Sequence, residues 1–154
     1  MKARTMALTL ALCFLGSAVC FAQGPQMGTW KLNEAKSKFG PGATKNATVV
    51  YEAAGDNVKV TVDGTDASGN AVHNEWTGKF DGKDYPVTGD PTSDSRSYRR
   101  INSRTLTLIA KKGAKVTLTG RVVVSADGKT RTVTTTATDA KGMKVHSTAV
   151  FDKQ

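Results

Sequence analysis

Six short pairs ending in glycine, Asp63-Gly64, Ser68-Gly69, Asp81-Gly82, Lys112-Gly113, Asp127-Gly128 and Lys141-Gly142, divide most of this chain into runs rich in Val, Thr and Leu. Side chains with a Cβ rarely take positive φ, so pairs of this kind mark tight turns. Apolar–polar alternation on either side makes each flanking pair of runs a β-hairpin. Consecutive hairpins build a meander, and a long meander protects its two edges best by closing on itself. The expected fold is all-β: an antiparallel up-and-down meander closed into a barrel of about 8–10 strands.

Residues 1–22 read as a signal peptide. Lys2 and Arg4 supply the positive start, Met6 to Leu15 the apolar stretch, and Cys20-Phe21-Ala22 a small-x-small cleavage site. The stretch is shorter than the roughly 20 residues that span a bilayer. Val19 stands where a lipidated cysteine is normally preceded by Gly, Ala or Ser, so ordinary cleavage near Ala22 is expected, with export to the periplasm or beyond. Residues 23–27 then form a short linker and 28–154 a single domain. Both cysteines, Cys13 and Cys20, leave with the signal, which excludes a disulfide, a thiolate nucleophile and a cysteine metal ligand from the mature chain. About 130 residues remain, enough to enclose one core.

Beyond a first strand at 28–33 and a helical turn capped by Asn33, strands are expected near 47–53, 57–63, 71–80, 84–88, 95–101, 104–111, 114–124, 129–138 and 143–151. Period-two patterning picks out their inner faces. Val58, Val60 and Val62 share one face. So do Val72, Asn74, Trp76, Gly78 and Phe80; Leu106, Leu108 and Ala110; Val116, Leu118, Val122 and Val124; Val133, Thr135 and Ala137; and Val145, Ser147, Ala149 and Phe151. Several of these side chains are small, which leaves room for an internal cavity.

The formal charge is +9 and unevenly placed. Residues 23–95 hold seven Lys or Arg against ten Asp or Glu, whereas 96–131 hold ten basic residues against Asp127 alone. An acidic protein, an envelope component or a polyanion would suit such a surface, although solubility and edge protection explain it as well. Export argues against nucleic acid as the partner.

Candidate chemistry is sparse. His73 and Glu75 share a face and His146 lies on the last strand, a set that suggests metal binding or acid–base catalysis. That face lies opposite Trp76 and Phe80, so the set is expected in water and no metal site is assigned. No nucleophile elbow, phosphate loop or zinc spacing is present. Arg96, Tyr98 and Arg100 alternate onto one face. Pointing inward, they form an anion anchor of two guanidiniums around a phenol. Burying two unpaired arginines is costly, and Ile101 on the opposite face argues for that side as the core. The exposed arrangement is therefore expected.

The first-strand motif Gly28-Thr29-Trp30-Lys31-Leu32-Asn33, after a signal peptide, resembles the opening of lipocalins and fatty-acid-binding proteins. Ser147-Thr148-Ala149-Val150-Phe151-Asp152-Lys153 resembles the final fatty-acid-binding strand, and the mature chain is similar to small secreted bacterial proteins of lipocalin-like type. The resemblance implies a lipocalin-like β-barrel with Trp30 across its closed end and Lys144 or Lys153 stacked on the indole. It also locates a departure. The Arg and Tyr that hold a carboxylate in fatty-acid-binding proteins are matched by Ala149 and Phe151, so that anchor is missing. Residues 34–46 are too short for the helical pair of that family.

The expectation is a non-enzymatic exported barrel that binds a small apolar or amphipathic molecule without a cofactor. Val60, Trp76, Leu108, Leu118 and Val133 are its expected wall, and Trp30 its floor. The alternative is a filled barrel that meets an acidic protein or polyanion through its basic surface.

Overall fold

The computed structural model describes residues 24–154; the signal-peptide assignment lies outside these residues. Ten strands follow one another: β1 Gly28–Leu32, β2 Lys45–Ala54, β3 Asn57–Thr65, β4 Ala71–Gly78, β5 Tyr85–Thr88, β6 Ser95–Asn102, β7 Thr105–Lys112, β8 Lys115–Val124, β9 Thr130–Thr138 and β10 Lys144–Lys153. Each pairs antiparallel with its neighbour in sequence, and β10 pairs with β1, so the barrel is closed. The up-and-down all-β fold expected from the turn signals is the one observed.

One 3-10 turn, Glu34–Lys36, interrupts the meander, with the Asn33 side chain accepting from the Lys36 amide at 3.2 Å. Beyond it the chain runs on beside β10 through the Lys38–Thr148 bridge before β2 begins. Trp30, in the middle of β1, lies towards one end of the barrel; the hairpins at 66–69 and 139–142 mark the opposite end.

One turn assignment needs correction. Asp63-Gly64 is not a turn: Gly64 lies inside β3 opposite the register shift at Asn46/Thr48, where a Cβ would collide with the Lys45 carbonyl. The β2–β3 hairpin turns instead at Gly55, φ +60°. Glycine serves close packing at Gly78 as well, since a Cβ there would sit 2.5 Å from the Tyr85 ring and 2.7 Å from the Trp76 indole.

The inner faces follow the alternation with two exceptions. Val116 is 42% exposed because a register shift after Ala110 takes the start of β8 out of phase. On β6 the inward face is Arg96, Tyr98 and Arg100, paired with Ala110, Leu108 and Leu106, while Ile101 is 49% exposed. The expected exposure is thus overturned at Arg96 and Tyr98, which are buried, whereas Arg100 is exposed as expected. A single apolar residue at a strand end was a poor marker of the core, because the cost of burying Arg96 is met by Asp90, six positions before it in a loop, and Asn74, 22 positions before it.

Candidate functional site

The barrel interior divides into two halves. Towards the Trp30 end it is filled: Trp30, Val49, Tyr51, Val60, Trp76, Tyr98, Leu106, Val122, Val124 and Phe151 are all buried. Trp30 has no exposed surface, and its indole N–H donates to the Gln26 carbonyl at 2.9 Å. Lys153 Nζ stands 5.1 Å from the centre of the Trp30 ring, so of the two lysines named as stacking partners Lys153 takes the position. Around Trp76 the rings of Tyr98 (4.8 Å) and Tyr85 (5.7 Å) present their edges, and Phe80 stacks at 6.4 Å. The Trp76 N–H donates to the Arg96 carbonyl at 2.8 Å.

Towards the other end, on β7 to β10, the inward side chains become small. Leu108, Leu118, Gly120, Val133, Thr135, Ala137, Ser147 and Ala149 point into the barrel, yet none is fully buried. An inward residue of a closed barrel keeps accessible surface only where the interior is open to solvent. The five expected wall residues are therefore brought to one interior but not to one surface. Val60 and Trp76 belong to the packed half, and Leu108, Leu118 and Val133 line the open half.

Polar groups inside this barrel are organised around two arginines. Arg96 Nη2 donates to Asp90 Oδ2 at 3.1 Å and to Asn74 Oδ1 at 3.3 Å, with the ion pair almost wholly buried. Burial alone would raise the Asp90 pKa, but donors from Ser93 and Thr92, together with Arg96, hold it below the ordinary carboxylate value. Arg131, 4% exposed, points inward from β9 between Val124 and Phe151. Its Nη2 donates to the Tyr51 hydroxyl at 2.6 Å, and its guanidinium lies over the Tyr51 ring at 4.7 Å and the Phe151 ring at 5.4 Å. Burial pushes the Tyr51 phenol well above its usual pKa, so it remains neutral.

The anchor named from sequence is assembled in part. Arg96 and Tyr98 enter the interior, while Arg100 lies near the Trp30 end, 5.4 Å from the Phe80 ring. There it borders a recess of about 210 Å³ with Gly24, Gln26, Gly55 and Val58. Arg131 was counted with the basic surface, although its spacing from Val133, Thr135 and Ala137 places it on their inner face. With Arg96 and Arg131 inside, and Lys111 held by Asp84 at 2.6 Å, the basic run covers less of the surface than its composition suggests.

The histidines do not converge. His73 faces outward, with Nδ1 2.6 Å from Asp63 Oδ1 and Nε2 3.9 Å from Glu75 Oε1, while Glu75 also pairs with Lys59 at 2.7 Å. His146 contacts Thr136 on the outer face at 2.9 Å, with β1, β2 and β3 between its strand and that of His73. Among the described residues no group of three or more His, Cys, Asp or Glu is placed to hold a metal ion.

No protein-family model matches the chain, and no curated protein matches it. Among solved structures it is similar to EF1p2_mFAP2b bound to DFHBI, at 10% identity and a TM-score of 0.47, over 84% of this chain and 94% of that one. It is also similar to a redesigned β-barrel, mFAP1, bound to DFHBI, at 12% identity and a TM-score of 0.44, over 84% of this chain and 95% of the other.

Proposed function

We propose that this chain is a non-enzymatic binding protein that takes a small amphipathic molecule into the open half of its barrel. The observation that carries the reading is the partial exposure of inward-facing Leu108, Leu118, Val133 and Ala149 inside a closed barrel. An apolar wall in contact with water gains free energy, about 25 cal/mol per Å², from any apolar body that covers it. Convergent polar groups beside such a wall set the orientation of what binds. Export follows from the signal-like pattern of residues 1–22 and belongs to the same proposal.

The basic surface supports a second role less well, because Arg96 and Arg131 lie inside and Lys111 is paired. A calorimetric titration with the neutral probe 4-(1-naphthyl)butan-1-ol separates the two. Saturable binding that persists at high salt and is lost in Val133→Phe supports the interior site. Absence of probe binding, with polyanion binding that falls steeply with salt, contradicts it.

A further inference from the structure

The interior of this barrel is one anion short. Two buried guanidiniums, Arg96 and Arg131, face inward, and one buried carboxylate, Asp90, pairs with the first of them. Among the described residues Arg131 forms no ion pair. The protein offers it a neutral phenol at Tyr51 and two ring faces, and nothing for the N–H groups of Nε and Nη1, which have no acceptor in the protein. A guanidinium is a permanent cation, and burying one without a counter-charge is strongly unfavourable. Arg96 shows how the same chain meets that cost where it uses its own residues, with a carboxylate and an amide oxygen on one nitrogen.

We infer that Arg131 is the head-group site of the barrel, and that the molecule bound there is a monoanion whose carboxylate accepts from Nε and Nη1. The inference rests on the small-molecule reading above and specifies the class of molecule. Neighbouring residues fit that class. Val133 stands two positions from Arg131 on the same inner face and Thr135 two further on, so the partly exposed wall begins about 7 Å along the strand from the Arg131 Cα and extends to about 13 Å. A carboxylate seated on Arg131 thus has its apolar tail directed along Val133, Gly120 and Ala149 towards the open half. The Tyr51 hydroxyl occupies Nη2, while Nε and Nη1 have neither an acceptor nor exposed surface in this structure, so a carboxylate reaches them only as the side chains covering them move aside, with the Phe151 ring stacked on the guanidinium. This anchor is built from β2 and β9, distinct from the last-strand positions Ala149 and Phe151, which carry no charge.

The test is a matched pair of probes titrated into the full chain at pH 7: 4-(1-naphthyl)butyrate and 4-(1-naphthyl)butan-1-ol, which differ only in the head. The carboxylate is expected to bind about 10- to 100-fold more tightly than the alcohol, the range of a hydrogen bond to a charged partner. In Arg131→Met, which keeps the bulk and removes the charge, the preference should fall to about twofold or less, with alcohol binding retained. Equal affinity of wild type for both probes overturns the anion site and leaves the small-molecule reading standing. Binding of neither probe overturns both. A preference that persists undiminished in folded Arg131→Met also overturns the assignment, because another cation would then hold the head. Should the Met variant fail to fold, the wild-type pair still decides whether the head-group preference exists, and Tyr51→Phe supplies the site readout. Freeing Nη2 for the ligand in that variant should preserve or increase the preference, and loss of it contradicts the geometry.

Discussion

Lys153 and Trp30 are direct cross-strand partners at the seam where the last strand meets the first, and the ammonium of one stands 5.1 Å from the ring centre of the other. The contact joins the first and last strands of the barrel. Trp30 also ties the incoming segment down through the Gln26 carbonyl, and the Gln26 amide donates in turn to the Arg104 carbonyl at 3.0 Å. First strand, last strand and the Asn102–Thr105 turn therefore meet over one indole.

Truncating that indole should be among the most damaging single changes in the barrel. Trp30→Ala is expected to cost about 3–5 kcal/mol, the range for large aromatic side chains removed from a core. Lys153→Ala should cost no more than about 1 kcal/mol, because the ammonium is largely exposed to water. Urea denaturation of both variants checks the pair. An unchanged midpoint in Trp30→Ala contradicts the floor assignment.

The Arg96–Asp90 pair predicts how stability responds to acid. Asp90 has a lowered pKa in the folded state, so its contribution is fully present above the unfolded carboxylate value. That contribution is lost as pH falls through the lower, folded value. Asp90→Asn should reduce stability at pH 7 by about 1.5–3 kcal/mol, the worth of a hydrogen bond to a charged group. The gap to wild type should then close as pH falls below the carboxylate range. Urea midpoints of both proteins measured from pH 7 down to pH 3 test this, and a gap that stays constant with pH contradicts the pairing.

Much of this arrangement was legible in the residues, for reasons that differ from one element to the next. Val58, Val60 and Val62, and likewise Val133, Thr135 and Ala137, declare their faces because period-two alternation is local. Closure was legible because hairpin followed hairpin. The face of β6 was not, since what makes Arg96 tolerable inside is Asn74, 22 positions away, and Asp90 in the preceding loop. Val116 was misplaced because the register shift that passes over Thr117 in β8 leaves no signature in the alternation. Arg131 was the reverse case: its strand's alternation placed it inward, but counting it within a run of charge hid the signal.

The outward placement of His73, Glu75 and His146 predicts that none of them belongs to a metal site. Zn²⁺ titrated into the folded chain should show no stoichiometric binding, since four-coordinate sites need converging ligands. A tight one-to-one complex that is lost in His73→Ala contradicts this and returns acid–base or metal chemistry to consideration.

The location of a bound molecule tests the central claim most directly. With methyl-labelled full-length protein and 4-(1-naphthyl)butan-1-ol, intermolecular nuclear Overhauser effects should connect the probe to the methyl groups of Leu108, Leu118 and Val133, which face inward. Effects confined to the outward methyl groups of Ile109 and Val123, which are 36% and 38% exposed, would place the molecule on the barrel's exterior and contradict an interior site.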